Sequence, residues 1–182
     1  MIRNNKVAWG WPAKLLHWLA AALILVLLVH GWWMTHMTAR PDRLANYTWH
    51  AALGYDLLAL CVLRLLWRWV NPVPAQPADS RPWEKFSAHA GHFGLYVLMF
   101  VVSLTGWALA GTFRVPMNMD LLGIAVPAIV TDVARPVREL IEDSHKILAY
   151  VLAAFVLVHF LGALRHHFLK RNDVLLRMLW GA

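Results

Sequence analysis

Four long apolar stretches, separated by short polar segments, form the main pattern along the chain. They cover residues 13–34, 49–70, 88–111 and 144–164. Each is about 20 residues long or longer, which is the length that an α-helix needs to cross the hydrocarbon core of a bilayer. The pattern predicts four transmembrane helices. We expect an all-α membrane protein, a four-helix bundle in which residues 1–182 form a single domain.

The polar segments between the spans indicate loops and one surface helix. Prolines cluster in residues 71–81, which favours an irregular loop between the second and third spans. Residues 126–143 place apolar side chains at helical spacing among charged ones. This pattern predicts a short amphipathic helix at the membrane interface, interrupted or started near Pro136. The first span is too long for the apolar region of a secretory signal, so we interpret it as a retained helix.

The composition is typical of a chain that lies in lipid. Hydrophobic residues make up 60% of the 182 residues and charged residues only 15%. Four spans leave little chain for a soluble catalytic domain. The single cysteine, Cys61, excludes an intrachain disulfide and an iron–sulfur cluster held by cysteines. Any redox metal centre is therefore expected to use histidine.

The distribution of lysine and arginine predicts the orientation in the membrane. If the chain crosses four times, the two termini and the second loop share one side with eleven of the 17 basic residues: Arg3, Lys6, Lys14, Arg64, Arg68, Arg81, Lys85, Arg165, Lys170, Arg171 and Arg177. The positive-inside rule makes this side cytoplasmic, so we expect a multi-pass protein of the bacterial inner membrane. The net charge of +7 then faces anionic lipid and gives no support for nucleic-acid binding.

Two histidines of the fourth span, His145 and His159, carry the strongest chemical signal. They are fourteen residues apart, which corresponds to a rise of about 21 Å and almost a whole number of helical turns. Both imidazoles therefore face the same way near opposite leaflets. An imidazole in hydrocarbon is costly unless it is paired or bound to a metal. The alternative is that both histidines are polar residues that pack helices together.

Each of these histidines has a partner at matching depth on another helix. His17 lies early in the first span, on the side of His159, and His50 opens the second span, on the side of His145. Two bis-imidazole sites stacked across a bilayer are what low-spin b-type haem requires. The residue four positions after each histidine is small and lets a flat ring approach the helix: Ala21, Gly54, Ala149 and Ala163. We predict two haem b groups, with iron bound by His17 and His159 on the cytoplasmic side and by His50 and His145 on the periplasmic side.

Other polar residues in the spans allow more than one interpretation. His89 and His92 begin the third span, where the surface can satisfy them, and His92 is the main rival ligand. Asp56 is either a proton-handling group beside a quinone or the periplasmic haem, or a structural partner of a neighbouring helix. Arg64 and Arg68, one turn apart, either reach the lipid headgroups or neutralise haem propionates. Four histidines near span ends are interpreted as contacts to the interface, headgroups or propionates: His30, His36, His166 and His167.

The sequence resembles the bacterial cytochrome b561 family over nearly its whole length. The matching motifs are KLLHW at 14–18, HAALG at 50–54, LRLLWR at 63–68, ALRHHF at 163–168 and DVLLRM at 173–178, together with the span that joins His145 to His159. The resemblance implies a cytochrome with two b haems on the same four histidines. Such proteins pass electrons between the quinone pool and a second redox partner. Some members are similar to superoxide oxidases, which take an electron from superoxide and reduce ubiquinone.

The functional prediction is electron transfer between a periplasmic-side donor, either superoxide or a periplasmic redox protein, and ubiquinone in the membrane. Because superoxide is an anion, we expect a local cationic patch to attract it, formed by Lys146 and Arg114 with Arg135 or Arg138. One alternative is a haem-bearing membrane anchor subunit of a dehydrogenase or hydrogenase. A proton or metal transporter is a third interpretation, which the lack of an inverted repeat in the sequence disfavours.

Overall fold

The computed structural model describes residues 1–36, 42–77, 80–113 and 124–179, and the backbone of residues 120–121. Four long helices make up most of it: α1 (Trp11–His36), α2 (Arg43–Trp69), α3 (Pro82–Gly111) and α4 (Arg135–Leu164). Each is long and apolar enough to cross a bilayer. The predicted fold class, a four-helix membrane bundle, is confirmed. The orientation of the termini stays a prediction.

The segment between α3 and α4 differs from the expected interfacial helix. A small antiparallel hairpin, β1 (Asp120–Leu121) with β2 (Ile124–Ala125), precedes it. Residues 126–134 form neither helix nor strand, and α4 runs from Arg135 to Leu164 without interruption. Pro136 lies in the first turn of α4, where its missing N–H removes no hydrogen bond and its fixed φ favours the helix. Residues 135–143 therefore form the first turns of the same helix as the fourth span.

The four helices pack in chain order around a small interior. α1 packs on α2, α2 on α3, and α3 on α4. Within the described residues, the core cluster contains Ala20, Ile24, Leu27, Leu57, Cys61, Met99 and Leu152. Leu152 is the one buried residue of α4, which packs mainly on α3. The sides of α4 that face α1 and α2 are consequently more open than its contact with α3.

The N-terminal segment and a short C-terminal helix, α5 (Val174–Leu179), close one end of the bundle. The side chain of Asn4 accepts a hydrogen bond from the backbone of Gly10 at 2.9 Å and donates to the carbonyl of Pro72 at 3.0 Å. The indole of Trp18 donates to the carbonyl of Met178 at 3.0 Å. We call this end the terminal end, and the opposite one, beside β1 and β2, the hairpin end.

Candidate functional site

The structure brings the four predicted histidines into two pairs, one at each end of the bundle. The ring centroids of His17 and His159 lie 6.2 Å apart, and those of His50 and His145 lie 6.3 Å apart. We call them the terminal pair and the hairpin pair. Because α4 contributes one histidine to each, fourteen residues apart, the pairs are separated by about 21 Å along the bundle.

The ring spacing in both pairs suits two imidazoles that share one metal ion. A bond of about 2.0 Å from the metal to each nitrogen, with ~1.1 Å from nitrogen to ring centre, places opposed rings roughly 6.2 Å apart. The ring planes cross at 64° in the terminal pair and 88° in the hairpin pair, so the rings are not stacked on each other. Among the described residues, no group of three or more histidine, cysteine or acidic side chains is placed so that it could hold one metal ion. The metal ligands that the site provides are therefore two imidazoles at each end, as an iron porphyrin requires.

Hydrogen bonds hold His145 in the form that binds a metal. Its Nδ1 lies 3.1 Å from the carbonyl oxygen of Val102 and 3.2 Å from Oγ1 of Thr105, both on α3. Because a carbonyl oxygen can only accept, Nδ1 carries the proton and Nε2 keeps its lone pair. Metal-binding histidines are typically held by a hydrogen bond of this kind from the second ring nitrogen.

Two glycines allow the hairpin pair to fit between the helices. A Cβ at Gly106 would lie 2.9 Å from Cε1 of His145, and a Cβ at Gly31 would lie 3.1 Å from Cε1 of His50. At Gly54, the predicted haem neighbour, a Cβ would meet no atom within 4 Å. The helix surface one turn beyond His50 is therefore open enough for a flat macrocycle to approach.

His30 lies against the hairpin pair, although the sequence led us to interpret it as an interfacial residue. Its ring stacks on that of His50, with centroids 5.8 Å apart and planes 18° apart. Its Nε2 lies 3.2 Å from Oδ1 of Asn46, whose own amide nitrogen donates to the carbonyl of Asp42 at 2.9 Å. His30 Nε2 is therefore the donor. The signal available in the sequence was its position thirteen residues after His17, at the depth of His50.

The terminal pair has a cation beside it. Nη2 of Arg64 donates to Nδ1 of His17 at 2.8 Å, and the guanidinium carbon lies 5.3 Å from the ring centre of Tyr96. Since a guanidinium has no acceptor, Nδ1 of His17 must be the acceptor, and a neutral His17 then carries its proton on Nε2. Metal binding through Nε2 requires this hydrogen bond to be released.

His92 competes with His17 for the place opposite His159. The centroids of His92 and His159 lie 5.2 Å apart, which is about 1 Å too short for opposed rings on one metal. Nδ1 of His92 donates to the carbonyl of Ala88 at 2.7 Å, so its Nε2 has a free lone pair. The spacing favours His17 and the hydrogen bonding favours His92. We give the spacing more weight because the helix positions set it, whereas one hydrogen bond can be exchanged.

The charged candidates at the hairpin end are largely engaged with neighbours. Nζ of Lys146 lies 2.7 Å from a carboxylate oxygen of Glu142, which partly compensates its charge. The guanidinium of Arg138 lies 4.6 Å from the ring centre of Phe113. Arg114 lies outside the described residues. Two members of the predicted cationic patch thus form ion pairs that the sequence alone did not specify, Lys146 with Glu142 and Arg135 with Glu139.

Three further candidates occupy positions outside the two pairs. Asp56 is half-buried on α2 and has an interaction partner, as a carboxylate within a span needs. Arg68 lies one turn beyond Arg64. His89 donates from Nδ1 to the carbonyl of Lys85 at 2.7 Å, which satisfies it within its own helix. The roles suggested for Asp56 and Arg68 stay predictions.

This architecture, a multi-pass membrane bundle with imidazoles paired at both ends, is that of a membrane cytochrome. The profile of the prokaryotic cytochrome b561 family matches residues 8–181. The chain therefore belongs to this family of haem b membrane proteins that transfer electrons.

Three known proteins are similar to the chain along most of its length. Cytochrome b561 homolog 2 of Escherichia coli strain K12 is 27% identical over 183 residues, which cover 97% of this chain and 93% of that protein. The probable superoxide oxidase CybB of Yersinia pestis is 24% identical over 168 residues, 90% of this chain and 91% of its own. Cytochrome b561 homolog 1 of the same Escherichia coli strain is 25% identical over 174 residues, with 90% and 92% covered.

Proposed function

We propose that this protein is a dihaem electron carrier of the bacterial inner membrane. In this proposal His17 and His159 hold one haem b, and His50 and His145 hold the other. The observation that carries it is the spacing of the two imidazole pairs, 6.2 and 6.3 Å, one pair at each end of the bundle. Each bound haem supplies reversible one-electron chemistry at its iron.

The residues of the chain hold the cofactors and control what reaches them. Binding of each iron by two imidazoles, from His17 with His159 and from His50 with His145, would favour electron transfer over oxygen binding. Val102 and Thr105 orient the ring of His145, and Gly106 gives it room. The separation of about 21 Å between the pairs spans most of a hydrocarbon core of about 30 Å. Two carriers in this arrangement connect the two faces of the membrane.

The proposal also names an electron donor, superoxide, and an electron acceptor, ubiquinone. We place the hairpin end at the periplasm, following the distribution of basic residues. Superoxide is the candidate donor there, which is supported by the similarity to a probable superoxide oxidase at 24% identity. Two superoxide anions and two protons would convert one ubiquinone to ubiquinol and release two molecules of oxygen. Asp56 is the candidate for proton handling, and lipid and quinone are the expected partners.

Absorption spectroscopy of the purified chain tests the cofactor assignment. A reduced-minus-oxidised spectrum with pyridine haemochrome quantitation should give two haem b per chain. Alanine at any one of His17, His159, His50 or His145 should remove one haem. His92→Ala is the matched control and should retain both. If His92→Ala loses a haem while His17→Ala keeps two, the assignment at the terminal pair is wrong.

The activity is tested with the isolated chain, superoxide and a soluble ubiquinone analogue. Turnover by the isolated chain supports the superoxide:quinone reaction. Absence of turnover, together with copurification of a stoichiometric dehydrogenase or hydrogenase subunit, would instead favour the membrane-anchor function. Asp56→Asn should lower quinone turnover and change its pH dependence if this carboxylate handles a proton.

A further inference from the structure

We infer that Arg64 is the receptor for a carboxylate of the haem at the terminal pair, and that it holds His17 in a form unable to bind iron until that carboxylate engages it. This inference rests on the proposed function, since it assumes that His17 is a haem ligand. It assigns Arg64 a binding role and predicts an order of events in cofactor loading.

The first observation is that Arg64 is a cation within a span and has no acidic neighbour among the residues that the structure describes. In the described part of the chain, the ion pairs of the structure do not include Arg64. Its side chain is instead held by the imidazole of His17 and the ring of Tyr96. A guanidinium in a low-dielectric setting is stable when an anion compensates it. The described part of the chain therefore offers a positive charge with no anionic partner.

The second observation is that the groups around Arg64 reinforce this charge. They are basic or neutral: His17, His92, His159, Arg68 and Tyr96. The guanidinium of Arg64, which contacts His17 and has no carboxylate beside it in the described part of the chain, forms a site complementary to an anion. Haem b carries two carboxylates, and a guanidinium binds a carboxylate through parallel hydrogen bonds.

The third observation is the state of the His17 ring. With Arg64 donating to Nδ1, a neutral His17 has its proton on Nε2 and no lone pair there. Iron binding at Nε2 and the hydrogen bond from Arg64 to Nδ1 exclude each other. A carboxylate that binds Arg64 removes this donor and lets the proton move to Nδ1. At this pair, binding of the carboxylate by Arg64 is thereby coupled to binding of iron by His17.

The hairpin pair provides an internal contrast. Nδ1 of His145 already donates to the carbonyl of Val102, so its Nε2 is available before any cofactor binds. The hydrogen-bond partners of His145 are the neutral groups of Val102 and Thr105, and the cation beside it, Lys146, is paired with Glu142. We therefore expect the carboxylates of haem to matter more for binding at the terminal pair than at the hairpin pair.

The test compares haem b with its dimethyl ester, which has the same iron and ring but no carboxylate charge. The full chain, stripped of cofactor in lipid nanodiscs, carries His145→Ala so that only the terminal pair can form a bis-imidazole site. Binding is followed by the low-spin Soret band. His50→Ala serves as a second background if the first variant does not fold.

In this background we expect haem b to bind roughly tenfold more tightly than the ester. Arg64→Met should reduce this preference to within about twofold, partly because the ester binds better once His17 is released. Arg68→Met is the matched control, equal in charge change and one turn away. It should keep most of the preference because Arg68 does not hold His17.

Three results would overturn the inference. They are equal binding of haem b and ester by the background chain with a low-spin spectrum, an unchanged preference in Arg64→Met, and an equal loss of preference in Arg68→Met. In each of these cases the haem still binds at the terminal pair, and the proposed function stands. If the wild-type chain binds neither porphyrin, the proposed function itself fails.

Discussion

Oγ1 of Thr105 lies 3.2 Å from Nδ1 of His145, across the contact between α3 and α4. The hydroxyl of Thr105 donates to backbone carbonyls of its own helix, 2.9 Å from Val101 and 2.9 Å from Val102. Its lone pairs therefore remain for the imidazole N–H. α3, which carries none of the four proposed ligands, thus fixes the orientation of one of them.

Removing this hydroxyl should change the redox potential of one haem. Thr105→Val keeps the shape of the side chain but loses an acceptor, so the ring of His145 becomes a poorer electron donor to iron. We expect the midpoint potential of one haem to rise by up to ~59 mV, the equivalent of tenfold in a one-electron equilibrium. Potentiometric titration followed by absorption measures it. Thr105→Ser should match the wild type, and an unchanged potential in Thr105→Val would count against a tuning role.

Gly106 should be required for haem retention at the hairpin pair. In Gly106→Ala the new Cβ would lie 2.9 Å from Cε1 of His145, a ring that hydrogen bonds from α3 hold in place. The ring must shift, and we expect haem affinity at this pair to fall by about tenfold or more. Haem content after purification provides the measurement. Gly91→Ala, on the same helix with no atom within 4 Å, is the control and should retain two haems.

Glu84 joins the C-terminal region to the start of α3. Its side chain is 4% exposed and accepts hydrogen bonds from the backbone of Arg81 at 2.9 Å, from Arg165 at 2.9 Å and from Lys170 at 3.2 Å. Arg165 begins a π-helical turn (Arg165–Leu169) that follows α4 and ends beside Lys170. The carboxylate of Glu84 thus links the segment that follows α4 to the start of α3 by hydrogen bonds.

Substitution of this carboxylate should destabilise the terminal end. Glu84→Gln removes the charge from a buried network whose partners are partly exposed, so we expect a loss of about 1–3 kcal/mol in the free energy of unfolding. Unfolding in detergent measures the total loss of stability. Hydrogen exchange over residues 165–179 shows whether this loss is located at the terminal end. Glu139→Gln breaks an exposed pair, with side chains 88% and 55% exposed, and should cost much less, because solvent screens the interaction. Equal losses in both variants would argue against the network.

The ion pair between Lys146 and Glu142 should set the rate at which an anionic donor arrives. Glu142→Gln removes the carboxylate that contacts Lys146, whereas Lys146→Gln removes the positive charge itself. If superoxide reacts at the hairpin end, its rate constant should rise in the first variant and fall in the second, by about twofold to threefold at low salt. Both differences should shrink above ~0.5 M salt. A neutral electron donor is the control. A difference in rate constant between the variants that does not depend on salt would exclude electrostatic steering of superoxide.

Much of this site followed from the sequence because helix pitch fixes depth. The spacing of His145 and His159 on one helix sets their separation whatever the helix packs against, and the lengths of the first two spans place His17 and His50 at the same two depths. The structure brings together the pairs that this depth argument selected. The open surface beside Gly54 agrees with the small residue expected there.

Depth does not determine which faces of neighbouring helices meet, because rotation about each helix axis depends on packing along the whole bundle. Three contacts depend on that rotation. They are the stacking of His30 on His50, the hydrogen bonds that His145 donates to α3, and the contact of Arg64 with His17. The helix expected over residues 126–143 begins only at Arg135, because a proline in the first turn favours a helix start there, and it is continuous with the fourth span. The sequence by itself determined the membrane class, the spans and the depth of the histidines. Only the tertiary structure decided which ring nitrogens carry protons, since a proton follows the partner that packing supplies.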